Sequence, residues 1–127
     1  MLKRIFAVLS LVILIANSAL ADSSTNNFKL QAGDLLFQDL NCGKFCDSVD
    51  SVTYGYKDSY VSHVALVINA SESNPQVIEA VSNGVSITPL AQFLGRSLDE
   101  QNQPRVMVGR LTPTYQKLIP EAINIAE

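Results

Sequence analysis

The 127-residue sequence contains one histidine, His63, directly after Ser62 and at the head of the aliphatic run His63 to Asn69. An imidazole titrates near neutral pH, which makes it the ordinary proton shuttle of a catalytic site. Glu79 stands in Val77-Ile78-Glu79-Ala80, a stretch so apolar that a carboxylate there is costly without a partner. Strand alternation places Val77 and Glu79 on one face and Ile78 and Ala80 on the other. If the strands holding His63 and Glu79 are neighbours, the carboxylate fixes the imidazole tautomer, the role of the third member of a triad. The competing reading is a solvated Glu79 on an edge strand.

A base and its orienting acid still need a nucleophile. Cys42 and Cys46 are the two cysteines, and both precede the histidine at the start of an expected helix, where the helix dipole lowers a thiol pKa. One alternative therefore makes Cys42 or Cys46 the attacking thiol. The other is a Cys42–Cys46 disulfide, which an even cysteine count and an oxidising compartment favour and a four-residue spacing permits. Two cysteines and one distant histidine do not make a closed zinc site, so no metal is expected, and no cofactor. No Gly-x-Ser-x-Gly occurs to mark a serine nucleophile. Arg96 and Arg110 read most simply as solvated charges.

The compartment follows from the N-terminus. Lys3 and Arg4 precede an apolar run from Ile5 to Ala16, broken by Ser10, and Ala19-Leu20-Ala21 supplies small residues two positions apart before a polar segment. Residues 1–21 thus read as a cleavable secretory signal with the cut after Ala21. The apolar run is shorter than the roughly 20 residues of a spanning helix, so no stable membrane span is expected after cleavage. The mature product would be periplasmic or secreted. Losing Lys3 and Arg4 leaves seven cations against twelve anions, a net charge of −5, which disfavours nucleic-acid partners. The length is that of one small domain.

Residues 22–32 form a polar leader, and residues 33–127 carry the regular patterning. Asp34 to Gln38 reads as a short buried strand. Phe45, Val49 and Val52 recur at helical spacing, predicting a one-sided helix over Lys44 to Tyr54 that stops at Gly55. His63 to Asn69 is a central strand; Gln76 to Val81 and Val85 to Thr88 form a hairpin about Asn83-Gly84. Thr88-Pro89 has the form of an N-cap followed by Pro at the first helical position, opening a short helix that Gly95 closes. Arg105 to Leu111 is another strand. Thr112-Pro113 opens a last helical segment with Leu118, Ile119, Ala122, Ile123 and Ala126 along one side, kinked or restarted at Pro120. The expected class is α+β, an antiparallel sheet with flanking helices.

Four segments in order carry a resemblance: Gly33-Asp34-Leu35-Leu36-Phe37-Gln38, Ser62-His63-Val64-Ala65-Leu66-Val67, Val77-Ile78-Glu79-Ala80, and Gly84-Val85 to Pro89-Leu90 with Phe93. Together they resemble the permuted papain-like amidases of the YiiX/YaeF type, within the NlpC-like cysteine hydrolase superfamily, across roughly Gly33 to Glu127. The resemblance implies a circularly permuted papain-like fold, with the histidine strand first and the nucleophilic cysteine later in the chain. It casts His63 as general base and Glu79 as its orienting acid. The implied reaction is thiol acyl transfer on an amide, such as a cell-wall peptide or a lipid-linked amide. Two departures stand out. Ala65 occupies a position where the family often has Gly, and no cysteine follows Cys46, so the family nucleophile has no counterpart. With no helix stop before Glu127, the reading is of the N-terminal part of an enzyme. The alternative is a non-catalytic periplasmic binding module that keeps the papain-like groove.

Overall fold

The computed structural model describes residues 28–127. The signal reading for residues 1–21 and most of the polar leader lie outside the described residues. Five strands form one antiparallel sheet: β1 (Leu35–Gln38), β2 (His63–Asn69), β3 (Gln76–Val81), β4 (Gly84–Pro89) and β5 (Val106–Gly109), in the order β4-β3-β2-β1-β5. Four helices accompany them: α1 (Lys44–Asp50), α2 (Leu90–Leu94), α3 (Pro113–Gln116) and α4 (Ile119–Ala126), with a 3-10 turn at Tyr56–Asp58.

Register decides which side chains share a face. Leu36 opposes Ala65 and Gln38 opposes His63 across β1 and β2. Ala65 opposes Glu79 and Val67 opposes Val77 across β2 and β3, and Val77 in turn opposes Thr88 on β4. Leu36, Gln38, His63, Ala65, Val67, Val77, Glu79 and Thr88 therefore project from one side. Phe93 of α2 closes over this side and is fully buried with Leu36, Ala65, Val67 and Val77. The opposite face is less covered. Ala126 of α4 is half-buried near Leu35, Leu66 and Ile78, whereas Val64, Val85 and Ile87 remain largely exposed.

Two glycines matter locally. Gly33 adopts φ +91°, and a Cβ there would lie 2.5 Å from the Ile119 side chain, so α4 reaches the sheet only because this position is bare. Gly84 adopts φ +104° and pairs with Val81. The hairpin loop is thus Ser82-Asn83, one residue earlier than expected, with the positive φ supplied by Gly84 alone, a conformation that costs glycine nothing.

Other expectations shift as well. α1 ends at Asp50 rather than Tyr54, and its inward residue is Cys46; Phe45 and Val52, expected on the apolar side, are about three-quarters exposed. Cys42 and Cys46 are joined in a disulfide with Cα atoms 5.3 Å apart. Cys46, rather than Phe45, is thus the buried side chain of α1. Thr88 is still in β4, and α2 begins at Leu90 with Pro89 as N-cap and no side-chain cap. Thr112 and Pro113 do open α3, and Pro120 sits in the first turn of a new helix, α4. Of its apolar residues, Ile119, Ile123 and Ala126 are half-buried, but Leu118 and Ala122 are exposed.

Candidate active site

His63 is the first residue of β2, and Glu79 lies in the middle of β3, which is an interior strand. Because Glu79 is directly opposite Ala65, His63 is its diagonal neighbour on the same face, within reach of a long side chain. The imidazole Nε2 is 2.7 Å from Glu79 Oε2. The carboxylate is buried, with 3% of the residue exposed, whereas the imidazole keeps 15% of its surface open. Glu79 is therefore not a solvated edge residue.

A buried carboxylate needs compensation, and Glu79 has three donors. Thr88 Oγ1 donates to Oε1 at 2.5 Å, and Arg96 Nη1 donates to Oε2 at 2.7 Å, the same oxygen that His63 engages. Burial alone would raise the carboxyl pKa, but the Arg96 hydrogen bond, then those of Thr88 and His63, outweigh it and hold the group at about 2. Glu79 is consequently ionised across the working pH range and can only accept. His63 Nε2 must then carry the proton toward it, which leaves the Nδ1 lone pair as the basic site. The geometry yields an oriented imidazole.

Neither Arg96 nor Thr88 is legible as a site residue in the sequence, and both corrections come from the same carboxylate. Arg96, read as a solvated charge, comes from the turn after α2 and lies with its guanidinium 6.0 Å from the Phe93 ring centre. Thr88, read as a helix cap, spends its hydroxyl on Glu79. The one available signal was the apolar setting of Glu79, which demands donors without saying which.

Gln38 adds a further tie. It is fully buried opposite His63, and its Nε2 donates to the Phe93 carbonyl at 2.9 Å. That carbonyl also accepts the Arg96 backbone N–H at 3.3 Å, so β1, the last turn of α2 and the start of the Arg96 side chain are held together. His63 borders a hollow of about 380 Å³ whose other walls include Phe37, Val49, Thr53 and Val61.

Arg110, also read as solvated, belongs to a different device. Its Nε and Nη2 each donate at 2.7 Å to the two oxygens of Asp34, a residue that is 1% exposed. Nη2 also reaches the Lys29 carbonyl, and the guanidinium lies 4.7 Å from the Phe28 ring centre. Burial opposes ionisation of Asp34, but the Arg110 fork and the Gln31 N–H keep its pKa below the usual carboxylate range. The Asp of the Gly33-Asp34 pair is thus a clasp between the start of β1 and the residue after β5.

The structure does not bring a thiol to His63. Cys42 and Cys46 are the only cysteines of the chain, and both sulfurs are in the disulfide. A disulfide sulfur is not a thiolate, which sets aside the alternative in which Cys42 or Cys46 attacks the substrate from this form. Among the described residues no cluster of three or more His, Cys, Asp or Glu is placed to hold a metal ion.

No curated protein and no solved structure matches the chain. A family model does, over residues 29–127: the permuted papain-like amidases of the YaeF/YiiX type, the C92 family. That match spans every strand and helix described above, and the five-stranded antiparallel sheet with its helices fits a permuted papain-like fold. On this evidence the chain belongs to the permuted papain-like amidase family.

Proposed function

We propose that the protein is an exported cysteine hydrolase of amide bonds, with His63 as general base and Glu79 as the acid that orients it. The observation that carries this reading is the 2.7 Å contact between His63 Nε2 and an ionised, buried Glu79. Through Nδ1, His63 takes the thiol proton, and the thiolate attacks the amide carbon. A carbon–sulfur bond forms, the carbon–nitrogen bond breaks, and the amine leaves with the proton from the imidazolium. Water then cleaves the thioester and regenerates the thiol.

Both cysteines of residues 1–127 are in the disulfide, so this reading requires a thiol from outside these residues. The substrate is a small peptide, a cell-wall peptide or a lipid-linked amide. It is met in the periplasm or outside the cell once residues 1–21 are removed at Ala21, and the net charge of −5 on residues 22–127 argues against nucleic acid.

The test begins with the coding DNA past the Glu127 codon, which should encode a helix with a cysteine near its start. The extended product should then be labelled by a thiol-directed acylating probe, with labelling lost in His63→Ala. Unrelated downstream sequence, or labelling indifferent to His63, defeats the proposal. The lack of a thiol in residues 1–127 favours one rival, a non-catalytic binding module that keeps the groove. That rival requires a stable, monomeric, cooperatively unfolding product of residues 22–127 that binds an amide ligand without cleaving it.

A further inference from the structure

β4 is an edge of the sheet: among the described residues its one neighbour is β3. The two strands pair from Val81 opposite Gly84 to Gln76 opposite Pro89. In a hairpin with a two-residue loop the closing pair exchanges hydrogen bonds and the pairs then alternate, which aims the backbone N–H and C=O of Gly84, Ser86 and Thr88 at β3. Those of Val85 and Ile87 therefore face away from it. Pro89 has no N–H to offer.

Soluble proteins commonly guard such an edge with a charge, a bulge or an interrupting proline. β4 has none of these before its last residue. No charged residue occurs between Glu79 and Arg96 in the sequence, and Val85 and Ile87 are 68% and 49% exposed. The opposite edge is built differently: β5 is short, half-buried throughout, and flanked by Arg105 on Asp39 and Arg110 on Asp34. β4 is the open edge. The occupant follows from the same features, because copies of a chain with a net charge of −3 repel one another, and the β4 hairpin is a surface on which they meet without opposing charges. An antiparallel edge is also complementary to itself about a two-fold axis.

We infer that β4 is a self-association edge, on which two copies of this chain pair β4 with β4 and continue one sheet through both. A two-fold axis through Ser86 sets Val85 of each copy opposite Ile87 of the other. Each such pair exchanges its outward N–H and C=O groups, and the β-branched side chains meet on the exposed face of the sheet. Pro89 falls outside the pairing. β4 also carries Thr88, whose hydroxyl holds Glu79, so pairing fastens the free side of a strand that serves the site. The association requires no thiol and no substrate, and it stands apart from the hydrolase reading.

Sedimentation velocity on the exported protein, from micromolar concentration to about 1 mM, should show an equilibrium of monomer and dimer. Hydrogen exchange at Val85 and Ile87 should slow as the concentration rises. Ile87→Pro removes an outward N–H and leaves the bonds to β3, the one setting in which a strand tolerates proline. Ile87→Lys places a charge on the edge instead, and decides the matter should the Pro variant not fold. Either folded variant should raise the dimer dissociation constant at least about tenfold, because each dimer contains the change twice. Ile125→Lys alters a residue of α4 that is 76% exposed beside the same face but off the edge, and should leave the dimer intact. A parent protein that stays monomeric throughout overturns the inference, even if β4 then captures an extended peptide. So does a dimer that survives unweakened in the folded Ile87 variants, or one lost equally in Ile125→Lys.

Discussion

At the residue scale, the centre of this protein is one buried carboxylate and the donors it needs. Glu79 is stable inside the sheet only because Thr88, Arg96 and His63 satisfy it, and those same contacts fix the imidazole tautomer. Thr88 tests this assignment, since its hydroxyl caps nothing. Thr88→Val should cost about 1–3 kcal/mol in urea unfolding by leaving Oε1 without its donor, and Thr88→Ser should recover most of the loss. A valine variant of unchanged stability would contradict the role. His63 and Glu79 were legible as candidates because a histidine heads one apolar run and a carboxylate interrupts another. Arg96 was not, because an arginine in a polar stretch looks solvated until the fold swings it over a buried acid.

At the element scale, short strands were readable and the ends of helices were not. β2 and β3 occupy the residues that their aliphatic content predicts, His63–Asn69 and Gln76–Val81. α1 misled because helical spacing of Phe45, Val49 and Val52 assumes that periodicity chooses the buried side. The buried residue is instead Cys46, which is linked to Cys42. The start of α2 misled because Thr-Pro is a capping pattern, and a hydrogen bond to Glu79 competes for the same hydroxyl. Gly33 is where two elements depend on one missing side chain. Gly33→Ala combines a positive φ with a collision against Ile119, so it should destabilise by roughly 1–3 kcal/mol. Hydrogen exchange should show the loss concentrated in α4 and β1; protection unchanged in both would refute the dependence.

At the scale of the whole molecule, two depressed carboxyls make stability depend on acid. Glu79 falls from an ordinary 4.5 to about 2 on folding, and Asp34 is lowered as well. A group whose pKa is depressed in the folded state adds stability that is complete above its unfolded value. That stability disappears as pH falls toward the folded value. The Glu79 contribution, about 3 kcal/mol from the size of the shift, should be intact above roughly pH 5 and decline from about pH 4.5 to about pH 2. Denaturant midpoints measured across that window should fall steadily in the parent protein and much less in Glu79→Gln. Equal slopes in the two would mean that the site does not govern acid stability.

The chain by itself determined the class, α+β, and the run of strands, and it singled out His63 and Glu79 as candidates for a base and its orienting acid. These follow from composition and alternation, which act over a few neighbouring residues. Only the tertiary structure decided that Arg96 and Thr88 belong to the same site, that Arg110 clasps Asp34, and that both sulfurs are taken up in a disulfide. Each of those pairings joins residues whose contact depends on strand register and burial, and a buried charge selects its partners from whatever the fold brings near.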